Sequence, residues 1–182
     1  CLYGDDGYYI KNNAIGKKND FITSPEISQM FGEILGLFII NYWKKNINKE
    51  FNLIELGPGT GALIVDILRV ATVNKNFLDA ANLTLIEKNK SLIKSQKNNL
   101  NILNYDRVNW LKKIEIKKNN RPSIIYSNEF FDCFPVRQFY KKNKWYEKNI
   151  KYDKSQKKFG FTSMEVDTLE LLNNLQKFNH VK

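Results

Sequence analysis

The sequence predicts an α/β fold, a parallel sheet with flanking helices that gives way to an antiparallel β-meander towards the C-terminus. Three observations carry this reading. An apolar run over residues 51–56 passes through Gly57, Gly59 and Gly61 into a helical pattern; two later apolar runs, 83–86 and 123–127, lead into Glu87 and into the Asn128-Glu129 pair; and beyond Pro135 short alternating segments replace helices. The chain has 182 residues, 42% of them hydrophobic and 13% aromatic, enough for one α/β domain with a proper core.

Residues 1–22 are rich in Tyr, Gly and Asp without periodicity and read as a loop or lid. A helix over 23–45 follows. Thr23 and Glu26 are spaced for a capping box, or Ser24 caps and Pro25 opens the first turn; both versions start the helix near residue 25. Ile27, Met30, Phe31, Ile34, Leu35 and Phe38 recur at helical intervals and predict a core-facing stripe. Leu37, Ile39 and Ile40 widen it, which predicts cover on two sides, and Gly32 and Gly36 would let another backbone approach closely. Glu33, Asn41 and Lys44 leave the run short of the roughly 20 apolar residues a membrane span needs.

The central stretch is 51–68. Leu53, Ile54 and Leu56 suit a buried parallel strand, and Leu63, Ile64, Ile67 and Leu68 fall on a helix, so the glycine turn lies at the carboxyl edge of the sheet. Ligands of open α/β sheets bind at that edge. After a polar connection over 70–82, the second strand ends on Glu87. Leu92, Ile93 and Leu100 predict a crossover helix with a polar outer face; a short third strand is expected at 108–110, a charged loop at 112–121 and a fourth strand at 123–127, with Asn128 and Glu129 at its carboxyl end. The meander is expected over 136–140, 144–152 and 159–162, and a helix over 164–178.

The turn points to a ligand. A dinucleotide fingerprint spaces its glycines Gly-x-Gly-x-x-Gly, and a P-loop needs Lys-Ser/Thr; here the spacing is Gly57-x-Gly59-x-Gly61, with Ala62 following. Glu55, two residues before the first glycine, disfavours a pyrophosphate and suits a cationic ligand. Glu87 can accept both ribose hydroxyls of an adenosine, the role of the acid after the second strand in dinucleotide-binding folds. Together Glu55, Gly57, Gly59, Gly61 and Glu87 fit S-adenosyl-L-methionine, which carries an amino group and a sulfonium.

Three blocks in this order, 20–33, the Glu55-Leu56-Gly57-Pro58-Gly59 turn and 128–139, resemble the MidA-like methyltransferases across roughly residues 8 to 147. The resemblance implies a Rossmann-like class I methyltransferase fold, S-adenosyl-L-methionine as cofactor, and methylation of an arginine on a protein substrate. For mitochondrial members that substrate is a respiratory complex I subunit. It further implies a mitochondrial matrix location for a eukaryotic chain and a cytoplasmic one for a bacterial chain, and a longer protein with sequence missing at both ends. It also suggests that the block holding Asp20, Ser24 and Glu26 closes over the site as a substrate or lid element, although capping alone accounts for Ser24 and Glu26. Asn19, Thr60 and Cys133 depart from the family pattern, which usually has Gly, Arg and a small apolar residue there.

Methyl transfer is an in-line displacement that needs alignment and exclusion of water. An arginine acceptor stays protonated in water, with a pKa above about 12, so carboxylates must orient it and take its proton. Asn128, Glu129 and Asp132 are the candidate catalytic residues: Glu129 as guanidinium clamp, Asp132 at i+3 on the same helical face supporting it or binding substrate, and Phe130, Phe131 and Phe134 as a dry wall. The plainer reading has Asn128 capping a short helix, Asp132 paired with Arg137 and the phenylalanines in the core.

The net charge of +10 is spread over lysines scattered among asparagines and isoleucines, a solvated face rather than a nucleic-acid footprint, and compatible with an acidic protein partner. Two cysteines and one histidine supply neither a disulfide framework nor a metal site of the usual His/Cys kind. Two rival readings remain: a nicotinamide-dependent oxidoreductase, against which the glycine spacing counts, and a non-catalytic assembly or scaffold protein that keeps the fold, to which Thr60 lends weight.

Overall fold

A computed structural model describes residues 22–113 and 121–167. Two compact units divide the chain, Cys1–Cys133 and Phe134–Lys182. In the first, the order is α1 (Ser24–Ile27), α2 (Gln29–Asn46), β1 (Phe51–Leu56), α3 (Ala62–Ala71), α4 (Lys75–Ala80), β2 (Ala81–Ile86), α5 (Lys90–Asn101), β3 (Val108–Leu111), β4 (Ser123–Ser127) and a 3-10 turn at Phe131–Cys133. The four strands form one parallel sheet in the order β3-β2-β1-β4. β1 therefore runs between neighbours reached in opposite directions, and the crevice beyond its carboxyl end is the switch point where such sheets bind ligands.

All four predicted strands are present, each within two residues of its expected bounds. The connection 70–82 contains an element the sequence reading passed over. Asn74 caps α4 by accepting from the Phe77 N–H, and Phe77 is fully buried. Phe77 meets Trp43 edge-on and Phe51 at a tilt, at centroid distances of 5.5 and 5.3 Å, and this aromatic cluster joins α2, β1 and α4. The Trp43 indole N–H satisfies itself on the Lys49 carbonyl at 2.9 Å.

The N-terminal helix corrects three expectations. Ser28 is extended (φ −141°, ψ 119°), so 23–45 is not one helix but a single turn followed by α2. No capping box forms: Thr23 makes no side-chain cap, and Glu26 turns instead to the Thr60 hydroxyl. The predicted stripe is also on the wrong face. Ile27, Met30, Phe31, Ile34 and Phe38 are exposed, Ile34 by 60% and Phe38 by 65%, and only Leu35 of that set packs on the core. The buried face is Gly32, Gly36, Ile39, Ile40 and Trp43, so among the described residues the helix is covered on this side alone.

The glycines decide the face. A Cβ at Gly32 would stand 2.5 Å from Asp66 Cβ, and one at Gly36 would stand 3.0 Å from Ile67 Cα, so α3 packs where α2 has no side chains. That close approach outweighs the larger apolar area opposite. Gly32→Ala is expected to destabilise the fold by about 1–3 kcal/mol despite Ala's helix preference, because the crowding is against a packed neighbour. Gly160→Ala, where nothing lies within 4 Å of the new methyl, is expected to be neutral; urea unfolding of both variants checks the contrast.

The second unit holds the expected meander as an antiparallel sheet of β5 (Gln138–Lys141), β6 (Trp145–Asp153) and β7 (Lys158–Glu165), in that order. Tyr140 stacks on Tyr146 at 5.5 Å, and Arg137 grips Glu147 through two 2.7 Å hydrogen bonds. The helix expected from 164 loses its first two residues to β7. Its remainder beyond residue 167, residues 1–21 and most of the charged loop lie outside the described residues.

Candidate active site

The sheet delivers its chemistry to the carboxyl ends of β1, β2 and β4. Glu55 and Tyr126 are register partners on β1 and β4, and the Tyr126 hydroxyl donates to Glu55 Oε2 at 3.1 Å. Glu55 is only 2% exposed. Burial raises its carboxyl from the ordinary 4.5 to about 8, with the tyrosine hydrogen bond opposing part of that rise, and burial together with the nearby carboxylate drives Tyr126 well above the usual phenol range. The buried Glu55 carboxyl accordingly favours its protonated form at neutrality.

The turn after β1 carries positive φ at Gly57 (63°), Gly59 (55°) and Gly61 (88°), a conformation that L side chains adopt only at a cost. At Gly57 there is a second reason: a Cβ would run into the Phe130 ring. The Gly57 N–H bonds the Ile86 carbonyl at 3.1 Å, which brings the turn beside the end of β2 and hence beside Glu87. Glu87 accepts from the backbone N–H groups of Lys88 (2.7 Å) and Asn89 (2.8 Å), and these bonds oppose a rise in its pKa caused by burial.

A cavity opens over this turn, lined among others by Glu26, Glu55, Gly57, Gly59, Asn128 and Glu129. The candidate carboxylates at 55 and 129 and the Asn128 amide are thus brought to one place. Gly61, the last glycine of the turn, and Glu87, beside it, do not line the cavity, and Ser24 sits at the start of α1, outside the lining too. Asp20 lies outside the described residues.

Asp132 does not share a helical face with Glu129. Glu129 precedes the 3-10 turn with φ +47°, and Asp132 is exposed within that turn, outside the lining. Arg137, in the second unit, pairs with Glu147. Phe130 lies on the glycine turn, and Phe131 is 70% exposed and meets the Phe130 ring at a steep angle; Phe134 belongs to the second unit.

Sequence reasoning missed the residues that hold the turn from behind. Gln96 on α5 donates from Nε2 to the Gly59 carbonyl at 2.7 Å, and Asn99 donates to the Thr60 carbonyl at 3.0 Å. Thr60 donates in turn to Glu26, which ties α1 to the glycine turn. The spacing of Gln96 is legible in the sequence: it occupies the i+4 slot between Leu92 and Leu100. Among the described residues no group of three or more His, Cys, Asp or Glu side chains could hold a metal ion, and no helix is long and apolar enough to cross a membrane.

A parallel sheet in this order, a positive-φ glycine turn after β1 and acids at the ends of β1 and β2 define a Rossmann-like class I methyltransferase core. A family model described as "Putative S-adenosyl-L-methionine-dependent methyltransferase" matches residues 34–181, and the chain belongs to that family. Its cofactor is S-adenosyl-L-methionine, and the donor set fits it: one buried carboxylate for a cation, a second acid beside the turn, and a backbone cradle that side chains would fill. The chain is 36% identical to the zebrafish (Danio rerio) mitochondrial protein arginine methyltransferase NDUFAF7, over 81% of this chain and 40% of that protein. The human (Homo sapiens) protein of the same name is 34% identical, over 74% and 35%. In fold it resembles a superfamily member from Burkholderia thailandensis crystallised with S-adenosyl-homocysteine, with a TM-score of 0.73, 23% identity, and coverage of 96% of this chain and 46% of that one. The chain thus spans less than half the length of each of these relatives.

Proposed function

We propose that this chain is the cofactor-binding part of a protein arginine methyltransferase whose substrate is a respiratory complex I subunit. The observation that carries the reading is the meeting of Glu55, the glycine turn and the Asn128-Glu129 pair at one cavity. When bound, S-adenosyl-L-methionine supplies an electrophilic methyl on a sulfonium. Glu55 pairs with the cofactor's positive charge, Gly57, Gly59 and Gly61 let it lie on the backbone, and Glu87 accepts the ribose hydroxyls. Glu129, with Asn128, orients the guanidinium and takes its proton, and Asp132, on the exposed turn beside it, contacts the protein substrate. Ser24 and Glu26 border the substrate side, with Glu26 reaching the turn through Thr60. The relatives named above support an arginine acceptor and, for a eukaryotic chain, a mitochondrial location, which we read as the matrix; a bacterial chain would act in the cytoplasm.

The test is transfer of a labelled methyl group by the full-length protein to complex I subunits. Labelling should appear on an arginine and vanish when that residue is replaced by lysine; a full-length protein that binds a subunit without labelling it would favour the scaffold reading instead.

Glu55 gives the site a pH signature. Its carboxyl is raised to about 8, so below that pH a cationic ligand must displace a proton. Affinity for S-adenosyl-L-methionine is expected to climb by up to about tenfold per pH unit between pH 6 and 8 and then level off, with proton release visible by calorimetry in two buffers of different ionisation heat. Glu55→Gln should bind more weakly and without that slope. In the free protein the sign is opposite: the folded state keeps the proton that the unfolded state loses near 4.5, so this group's stabilising contribution is full below 4.5 and is lost as pH rises to about 8.

A further inference from the structure

Glu55 reaches the cavity, but the group that holds its carboxyl lies behind it in the sheet. In register, Glu55 of β1 stands between Leu85 of β2 and Tyr126 of β4, so one flank is apolar and the other carries a hydroxyl. Among the described residues that hydroxyl is the hydrogen-bond partner of the Glu55 carboxyl, donating to Oε2 at 3.1 Å. The Tyr126 ring packs against the hydrophobic core, and with only two side-chain torsions it presents the donor from a fixed place. Glu55 is among the residues that line the cavity and Tyr126 is not.

The charge of the cavity is unlike that of the chain. The protein carries 29 Lys and Arg against 19 Asp and Glu. Among the described residues that line the cavity, however, there is no lysine, arginine or histidine, and there are three glutamates: Glu55, Glu26 from α1 and Glu129 from the segment after β4. From α3 the lining takes only Ala62 and Leu63. A carboxylate at 55 therefore finds no cation in the lining to stabilise it, and a donated hydrogen bond is what the fold supplies in place of one. We infer that Tyr126 is a positioning residue that holds Glu55 as a ligand-ready carboxylate, leaving Oε1 for the cationic end of the cofactor, so that cofactor recognition depends on a phenol outside the cavity. This rests on the reading of Glu55 as the acceptor of the cofactor's positive charge.

The experiment measures the affinity of the full-length protein for S-adenosyl-L-methionine by calorimetry at pH 7 and at pH 9, in wild type, Tyr126→Phe, Glu55→Gln and the double variant. Tyr126→Phe keeps the ring and removes the donor. Its affinity is expected about tenfold below wild type at pH 7, the loss of a hydrogen bond to a charged group, and within about threefold at pH 9, where Glu55 ionises without that help. The ligand's own titration cancels in each ratio. Added to Glu55→Gln, Tyr126→Phe should cost about twofold or less, because the carboxylate it serves is already gone. A merely structural role would lower affinity equally at both pH values and add in full to Glu55→Gln. A uniform loss, a fully additive loss or wild-type affinity at pH 7 therefore overturns the inference, and with Glu55→Gln itself weak each of them leaves the cofactor reading standing. If Tyr126→Phe does not fold, Tyr126→Met, which also lacks the donor, is judged by the same outcomes. Wild type that does not bind, or Glu55→Gln that binds as wild type does, overturns the Glu55 reading and this inference with it.

Discussion

Gly59→Val is expected to abolish cofactor binding, with a loss of at least about a hundredfold, while leaving the sheet folded. Gly59 has φ +55° and lines the cavity, so a branched side chain there has two costs. The left-handed conformation alone costs a β-branched residue roughly 1–2 kcal/mol, and the methyl groups occupy space that the cofactor needs against the backbone. The Gly59 carbonyl remains available to Gln96, which is why the fold should survive. Equilibrium dialysis with labelled S-adenosyl-L-methionine, beside a circular dichroism melt, separates lost binding from lost folding. A folded Gly59→Val protein with unchanged affinity would remove the cofactor from this turn.

Glu129→Gln is expected to keep cofactor affinity within about twofold and to reduce methyl transfer by about 10²–10³, the range for loss of a positioned acid–base group. The substitution isolates charge. Gln has the same length, and it bears the same backbone penalty at φ +47°, so the strained loop is conserved while the carboxylate is removed. Glu129 is exposed at the rim of the cavity, where no core packing requires a carboxylate. Single-turnover assays on the full-length protein with saturating substrate provide the measurement; transfer near the wild-type rate would make Glu129 structural.

The parallel core was legible because its signals are local. A buried strand reads as an apolar run, a left-handed turn demands glycine, and an acid at a strand end is visible by position; β1, the glycine turn, β2 and Glu87 all follow from neighbours in sequence. The α2 face was not legible in that way. Apolar residues surround that helix, and the choice between faces was made by Asp66, Ile67 and Val70 on another element, which close on the two glycines. The candidate block at 128–132 was half legible: the placement of Asn128 and Glu129 follows from the end of β4, but the i, i+3 pairing of Glu129 with Asp132 presumed a helical turn that the positive φ at 129 prevents. Gln96 and Tyr126 were hidden for a different reason. A polar side chain within an amphipathic pattern reads as solvent-facing until the structure supplies the buried groups that satisfy it, here the Gly59 carbonyl and Trp110 for one and Glu55 for the other.

The most direct test of the central claim is calorimetric titration of the full-length protein with S-adenosyl-L-methionine, repeated with a nicotinamide dinucleotide as competitor. Micromolar binding of the methyl donor, undisturbed by the dinucleotide and accompanied by proton release below pH 8, is the predicted result. Binding of the dinucleotide in its place, or no binding of the methyl donor by a folded full-length protein, would contradict the account.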